Sequence, residues 1–233
     1  MTAALGSYEE YAEKAIENFA RLDAARRYAL VEAVESLKPQ TVLDVGCGAG
    51  QEMLPFVERT NASCVGIDIA AELGKIGKSF VQKSGVSENR MAFVRSPGED
   101  LPFADESFDV VLCRIALPYM NNRRALAEVA RVMRPGGVFL LKTHAPPFYF
   151  GMIRRRLKTL SAKQIAYPLI CLASGTFHLL TGRQLQKGFW RGKEVFQTEG
   201  FIRRECARNG LEVTGFLADT NPETPSFVIK KKR

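Results

Sequence analysis

"VLDVGCGAG" occupies residues 42–50. It joins an apolar, strand-like run to an aspartate and then to three glycines in five positions, Gly46, Gly48 and Gly50. Glycine has no Cβ, so it permits tight turns and lets a backbone come close to a ligand. A glycine cluster straight after a strand marks the first strand-to-helix turn of an open α/β sheet, where ligands sit beyond the carboxyl ends of the strands. Spacing narrows the ligand. A dinucleotide fingerprint needs GxGxxG, its third glycine beside a pyrophosphate. Here the pattern is GxGxG, and Gln51 stands where that third glycine belongs. A P-loop needs GK[ST], which is absent. Asp68 closes the next apolar run, 18 positions after Gly50. A carboxylate there accepts both hydroxyls of a ribose. The two features together fit an adenosine ligand without phosphates.

Outward from this turn the chain has a rhythm. Strands are predicted at 41–46, 63–68, 91–96, 108–114 and 136–143, with helices at 50–60, 70–84 and 121–133 between them. Near-continuous apolar strands alternating with helices mean a parallel sheet covered on both faces. Upstream, Tyr8, Tyr11, Ala12, Ala15, Ile16 and Phe19 repeat at the 3.6 period of a helix. A second helix at 22–37 stops before Pro39. The rhythm breaks after Thr143 and resumes with a helix at 194–209 and strands at 211–217 and 226–231. The short link between those strands suits an antiparallel final pair. The reading is one α/β domain over 1–233: N-terminal helices (1–38), a cofactor-binding core (40–143), an inserted helical cap (145–193), and a closing helix and strands (194–233).

The 233 residues suffice for one sizeable core, and 46% apolar with 25% charged residues suits a soluble globular domain. Five cysteines without a CxxC pair read as reduced core thiols. With His144 and His178 the only histidines, a histidine-rich metal site is excluded. The N-terminus lacks the apolar core of a signal peptide, so a cytoplasmic location is expected. The net charge of +8 is unevenly spread. No acid occurs between Glu128 and Glu194, and nine Lys and Arg fall within 145–193. Without those nine, 24 basic residues face 25 acidic ones, so the basic excess lives in one segment. Inside it, 164–182 carries no charged residue. The segment reads as a lid over a hydrophobic substrate, or as a patch whose cations meet anionic lipid headgroups peripherally at a membrane.

These motifs resemble the class I S-adenosylmethionine-dependent methyltransferases, in the branch of the ubiquinone/menaquinone C-methyltransferases. "VLDVGCGAG" resembles the first motif of that family, "VGIDIA" (65–70) its ribose-binding acid, and "EDLPFADESFDVVLCRIA" (99–116) and "LAEVARVMRPGGVFLL" (126–141) its fourth- and fifth-strand segments. The resemblance covers about 40–143. It implies a Rossmann-like seven-stranded, mostly parallel sheet with an antiparallel last strand, and S-adenosyl-L-methionine as cofactor. By position it implies that Gly46, Cys47 and Gly48 line the methionine portion through backbone atoms. Asp68 would hold the ribose, Ile69 would pack on adenine, and Gly98 and Glu99 would flank the adenine edge. Pro97 departs from the family, because it replaces an acid that normally meets the adenine amino group. Asp44 either orders the turn or meets a cationic group of the cofactor.

Methyl transfer needs a base only when the acceptor must lose a proton. His144, directly after the fifth strand, is the best-placed base. Tyr119 follows the fourth strand, where relatives carry a histidine pair, and is the second catalytic candidate. Arg114 ends that strand; it faces an internal acid or, as assigned here, the cofactor side. The basic segment also suits nucleic acid, yet the NPPY motif of base-amino methylation is replaced by "CRIALPYM", so RNA ranks below a small hydrophobic acceptor. A cofactor-binding regulator without catalysis is the remaining alternative.

Overall fold

The computed structural model describes residues 8–70, 72–157 and 162–232. Seven strands form one sheet in the order β3-β2-β1-β4-β5-β7-β6. β1 (Thr41–Val45), β2 (Ser63–Asp68), β3 (Met91–Arg95), β4 (Phe108–Arg114) and β5 (Met133–Lys142) pair in parallel. β7 (Ser226–Lys231) is antiparallel to both β5 and β6 (Leu211–Phe216). This is the predicted Rossmann-like sheet with its antiparallel last strand. The order reverses between β1 and β4, so the crevice of the switch point opens at the glycine turn. Buried Val, Leu, Ile and Phe of the central strands feed two apolar clusters, one on each face. Burial on both faces is why these strands read as apolar runs rather than alternations.

Helices cover the sheet. α1 (Tyr8–Ala20) buries Ala12 against Ala49 of the glycine turn, with Ala70 and Ile76 beside them. The N-terminal helix is therefore a wall of the crevice. The segment expected as a helix over 22–37 divides into α2 (Ala24–Glu32), capped by the Asp23 side chain, and a 3₁₀ turn, Glu35–Leu37. α3 is only Leu54–Arg59, because residues 50–53 remain in tight turns. α4 (Leu73–Ser84) and α5 (Asn122–Val132) match their expected positions, and α5 runs directly into β5.

The cap is helical, as expected. α6 (Pro146–Leu157) and α7 (Ala162–Thr181) pack on each other, and Lys158 lies outside the described residues. α7 approaches the core closely at Gly175, where a Cβ would stand 2.2 Å from the Phe196 ring. The expected helix at 194–209 is corrected: α8 spans Glu199–Arg208. Residues 194–197 are buried and extended instead. Val195 N–H donates to Pro118 O (2.8 Å) and Gln197 N–H to His144 O (3.0 Å). Thr198 then caps α8 by accepting from Phe201 N–H. All five cysteines are free and buried. Among the described residues no helix is long and apolar enough to cross a membrane.

Candidate active site

The glycine turn leaves β1 with left-handed backbone at Gly46 (φ 76°) and Gly48 (φ 56°). Gly46 and Cys47 N–H both donate to Ile67 O, at 2.9 and 3.0 Å, which ties the turn to the end of β2. A Cβ on Gly46 would lie 2.2 Å from Ala116 Cβ, so only glycine lets the turn press against the residues after β4. A Cβ on Gly48 would find nothing nearer than Gln51 Oε1 at 3.7 Å, so that side faces open space. Asp68 lies alongside. Its Oδ2 accepts Gly48 N–H at 3.4 Å and its Oδ1 accepts Ala70 N–H at 3.1 Å. Ile69, a large apolar side chain, is 58% exposed beside it, as an adenine platform requires.

The other nominated residues are placed as follows. Cys47 is buried and its sulfur points under Gly66; burial, then the charges of Asp44 and Asp68, push the thiol well up, so it contributes backbone. Gly98 is buried beneath Met120, and Glu99 Oε1 accepts Asn121 N–H at 2.6 Å. Both therefore tie the adenine side of the crevice to the loop after β4. Arg114 pairs with Asp219 and donates to Ser226 Oγ at 3.3 Å, and its charge also acts on Asp44. Lys142 joins Asp219 at 2.7 Å.

Asp44 is 1% exposed, and its Oδ2 is buried with no hydrogen-bond partner. Burial, then the neighbouring charge of Glu52, push its carboxyl well above the ordinary range, while Arg114 pulls it down. Glu52, which sequence reasoning missed, is itself raised by burial. A buried carboxylate oxygen without a donor is costly unless a ligand completes it. The group that completes an acceptor is a donor, and a cationic ammonium supplies the strongest kind. The residues present suit S-adenosylmethionine: Asp44 would face its ammonium, Asp68 its ribose and Ile69 its adenine.

Across the carboxyl edge of the sheet lies a second buried carboxylate, Glu194, 3% exposed. Its Oε2 meets His144 Nδ1 at 2.7 Å and accepts Tyr149 OH at 2.8 Å. Its Oε1 accepts Tyr119 OH at 3.0 Å and Tyr167 OH at 2.6 Å. Burial alone would raise this acid, but donors from His144, Tyr167 and Tyr149 outweigh it and hold Glu194 below the ordinary carboxylate range. Tyr149 and Tyr167 are pushed up by burial and then by the Glu194 charge, so they stay protonated donors. His144 is 7% exposed and stacks on Phe148 with ring centroids 3.7 Å apart. The hub joins α6 through Tyr149, α7 through Tyr167, the end of β5 through His144 and the loop after β4 through Tyr119. His144 and Tyr119 are thus brought together, through an acid that the sequence reading had placed inside a helix. One signal pointed to it: Glu194 is the first acid after the acid-free stretch.

Residues 43–141 match the Methyltransferase domain family. The methyltransferase YcgJ of Bacillus subtilis is 38% identical over 119 residues, which are 51% of this chain and 46% of that protein. The ubiquinone/menaquinone biosynthesis C-methyltransferase UbiE of Geotalea daltonii is 32% identical over 158 residues, 62% of this chain and 66% of that protein. The chain thus spans about half to two thirds of the length of these curated relatives. A solved geranyl diphosphate methyltransferase in complex with S-adenosylmethionine shares the fold at a TM-score of 0.62 and 14% identity, over 96% of this chain and 90% of that one. With the sheet order, these matches identify residues 43–141 as a methyltransferase domain of the class I, S-adenosylmethionine-dependent type.

Proposed function

We propose that this protein methylates a small, hydrophobic acceptor that must lose a proton, at or near an anionic membrane surface. The observation that carries the acceptor class is the His144–Glu194 pair. Glu194 accepts the Nδ1–H of His144 and so fixes the tautomer in which Nε2 carries the lone pair. No hydrogen bond to Nε2 is found among the described residues. A base held this way removes a proton from a hydroxyl or an acidic carbon, and the buried carboxylate stabilises the imidazolium that forms. S-adenosylmethionine supplies an electrophilic methyl group; the residues of this chain orient it through Asp44, Asp68 and Ile69. Tyr119 gives its hydroxyl to Glu194, so its part is to orient the acid and present its half-exposed ring at the rim. Phe148 and Leu172 turn inward with the cap cluster, which suits an apolar acceptor. The name of the Geotalea relative, a ubiquinone/menaquinone biosynthesis C-methyltransferase, supports the same class.

The membrane half of the proposal rests on the outer face of the cap. Among the described residues eleven large apolar side chains are exposed, and seven of them belong to the cap region: Phe150, Leu157, Leu169, Phe177, Leu179, Leu180 and Phe189. Arg154, Arg155 and Arg156 close α6 beside them. Apolar groups at the surface with a cluster of cations match an interfacial element, each cation worth about 1 kcal/mol near anionic lipid.

Two experiments test the two halves. His144→Ala should lower turnover on the order of 10²–10⁴-fold with cofactor affinity intact; a loss below about threefold would remove the base. Sedimentation with anionic vesicles should be strong at low salt and weaken at high salt. Absence of binding at low salt would remove the membrane.

A further inference from the structure

We propose that a second site, between the end of α7 and the start of α5, binds a small phosphate-type anion. A cavity of about 370 Å³ lies there, lined by Asn121, Arg123, His178, Gly182, Arg183 and Gln184. His178 is 4% exposed; neither ring nitrogen makes a hydrogen bond of good geometry, and the Arg183 backbone lies close to the ring. Its ring packs edge-on against Phe201 at 4.9 Å, so the imidazole is well fixed yet chemically incomplete. A buried ring of this kind is costly unless a ligand meets it. Burial holds His178 below the ordinary imidazole range, so at neutral pH it offers one N–H to an acceptor.

The remaining lining selects a negative acceptor. Arg123 and Arg183 supply two guanidinium groups, which suit phosphate oxygens. The cavity also adjoins the start of α5, an 11-residue helix whose amino end carries partial positive charge. At the opposite wall the end of α7 is closed, because Gly182 N–H already donates to His178 O at 2.8 Å. The carboxylate of this corner, Glu205, is shared by Arg208 at 2.7 Å, Arg123 at 3.4 Å and Arg204 at 3.7 Å. Positive charge therefore remains in excess.

Position gives the site a consequence. Residues after α7 are stitched to the loop after β4: Asn122 N–H donates to Gln184 Oε1 (3.0 Å), Gln184 Nε2–H to Met120 O (2.5 Å) and Asn121 Nδ2–H to Gln186 Oε1 (3.1 Å). An anion bridging Arg123 and Arg183 adds a charged clasp between cap and core. The phosphate belongs either to a soluble phosphoester or to a lipid headgroup, and the two are separable.

The test is ring-selective NMR of ¹⁵N-histidine protein, with the two histidines distinguished by His178→Gln. Inorganic phosphate and pyrophosphate are titrated first, then short-chain phosphatidic acid. The His178 signals should shift saturably while those of His144 do not. Arg183→Gln, which breaks no ion pair, should weaken the interaction at least about tenfold and leave cofactor affinity unchanged. A response to inorganic phosphate or pyrophosphate supports the site and assigns a soluble ligand. A response to phosphatidic acid alone supports it and assigns a headgroup. No His178 response to any of the three, or an undiminished response in Arg183→Gln, overturns the proposal.

Discussion

Asp44 and Glu194 are both aspartate- or glutamate-type carboxylates at the carboxyl edge of one sheet, and both are almost wholly buried. They are driven in opposite directions. Asp44 is raised, because burial and Glu52 act on an acid with an unpartnered oxygen. Glu194 is lowered, because four side-chain donors surround its two oxygens. The pair teaches that burial does not decide the charge of an acid; the donor inventory does. An incomplete inventory leaves an acceptor open, here on Asp44. A complete one marks a joint, here between cap and core.

Removing the joint should have the largest effect. Glu194→Ala strands the buried Tyr149, the partly buried Tyr167 and a buried histidine, and should cost about 3–5 kcal/mol, the range for breaking a buried charged network. Thermal unfolding measures the loss, and turnover should fall with that of His144→Ala. If Glu194→Ala unfolds like the parent protein, the hub is not a joint.

Asp44→Asn should act with opposite signs on binding and stability. It removes a charge-assisted contact worth about 1.5–3 kcal/mol, so cofactor affinity should drop at least about tenfold by calorimetry. The free protein should become more stable at neutral pH, by about 2–4 °C for each 1 kcal/mol of relieved burial cost. A mutant with parental affinity would dissolve the contrast with Glu194.

Acid should separate the two again. The folded pKa of Glu194 lies below its ordinary value of 4.5, so its stabilisation is present above 4.5 and is lost as pH falls through the lowered value. Asp44 is raised above 3.8, so its ionisation weakens the free fold as pH rises from 3.8 through the raised value. Glu194→Gln should flatten the acid limb of a stability-versus-pH curve, and Asp44→Asn the limb above it.

The smallest effect concerns Gly48. Gly48→Ala meets open space, so it should cost only the left-handed backbone strain, about 1–2 kcal/mol of folding stability. Gly46→Ala adds an overlap with Ala116 worth a further 1–3 kcal/mol or so, and should appear in stability as well. Equal melting temperatures for the two would contradict the close approach.

The cradle was legible because its chemistry is local. Gly46, Gly48, Asp68 and Ile69 sit at the ends of adjacent strands, and strand periodicity puts strand ends on one edge. The cap's helical character followed from composition. Glu194 was misread because "KEVFQTEGF" satisfies helical patterning; Pro118 O and His144 O, distant in sequence, claim its backbone instead. The Arg114–Asp219 pair was not legible because Asp219 lies 105 positions away.

By itself, then, the amino-acid order determined the sheet, the switch-point turn and the cofactor class, since each depends on residues within one strand–turn–helix unit. Only the tertiary structure decided which acid is complete and which keeps an oxygen without a donor. Hydrogen-bond partners converge from β5, α6, α7 and the loop after β4, and no local period encodes which side chains meet in three dimensions.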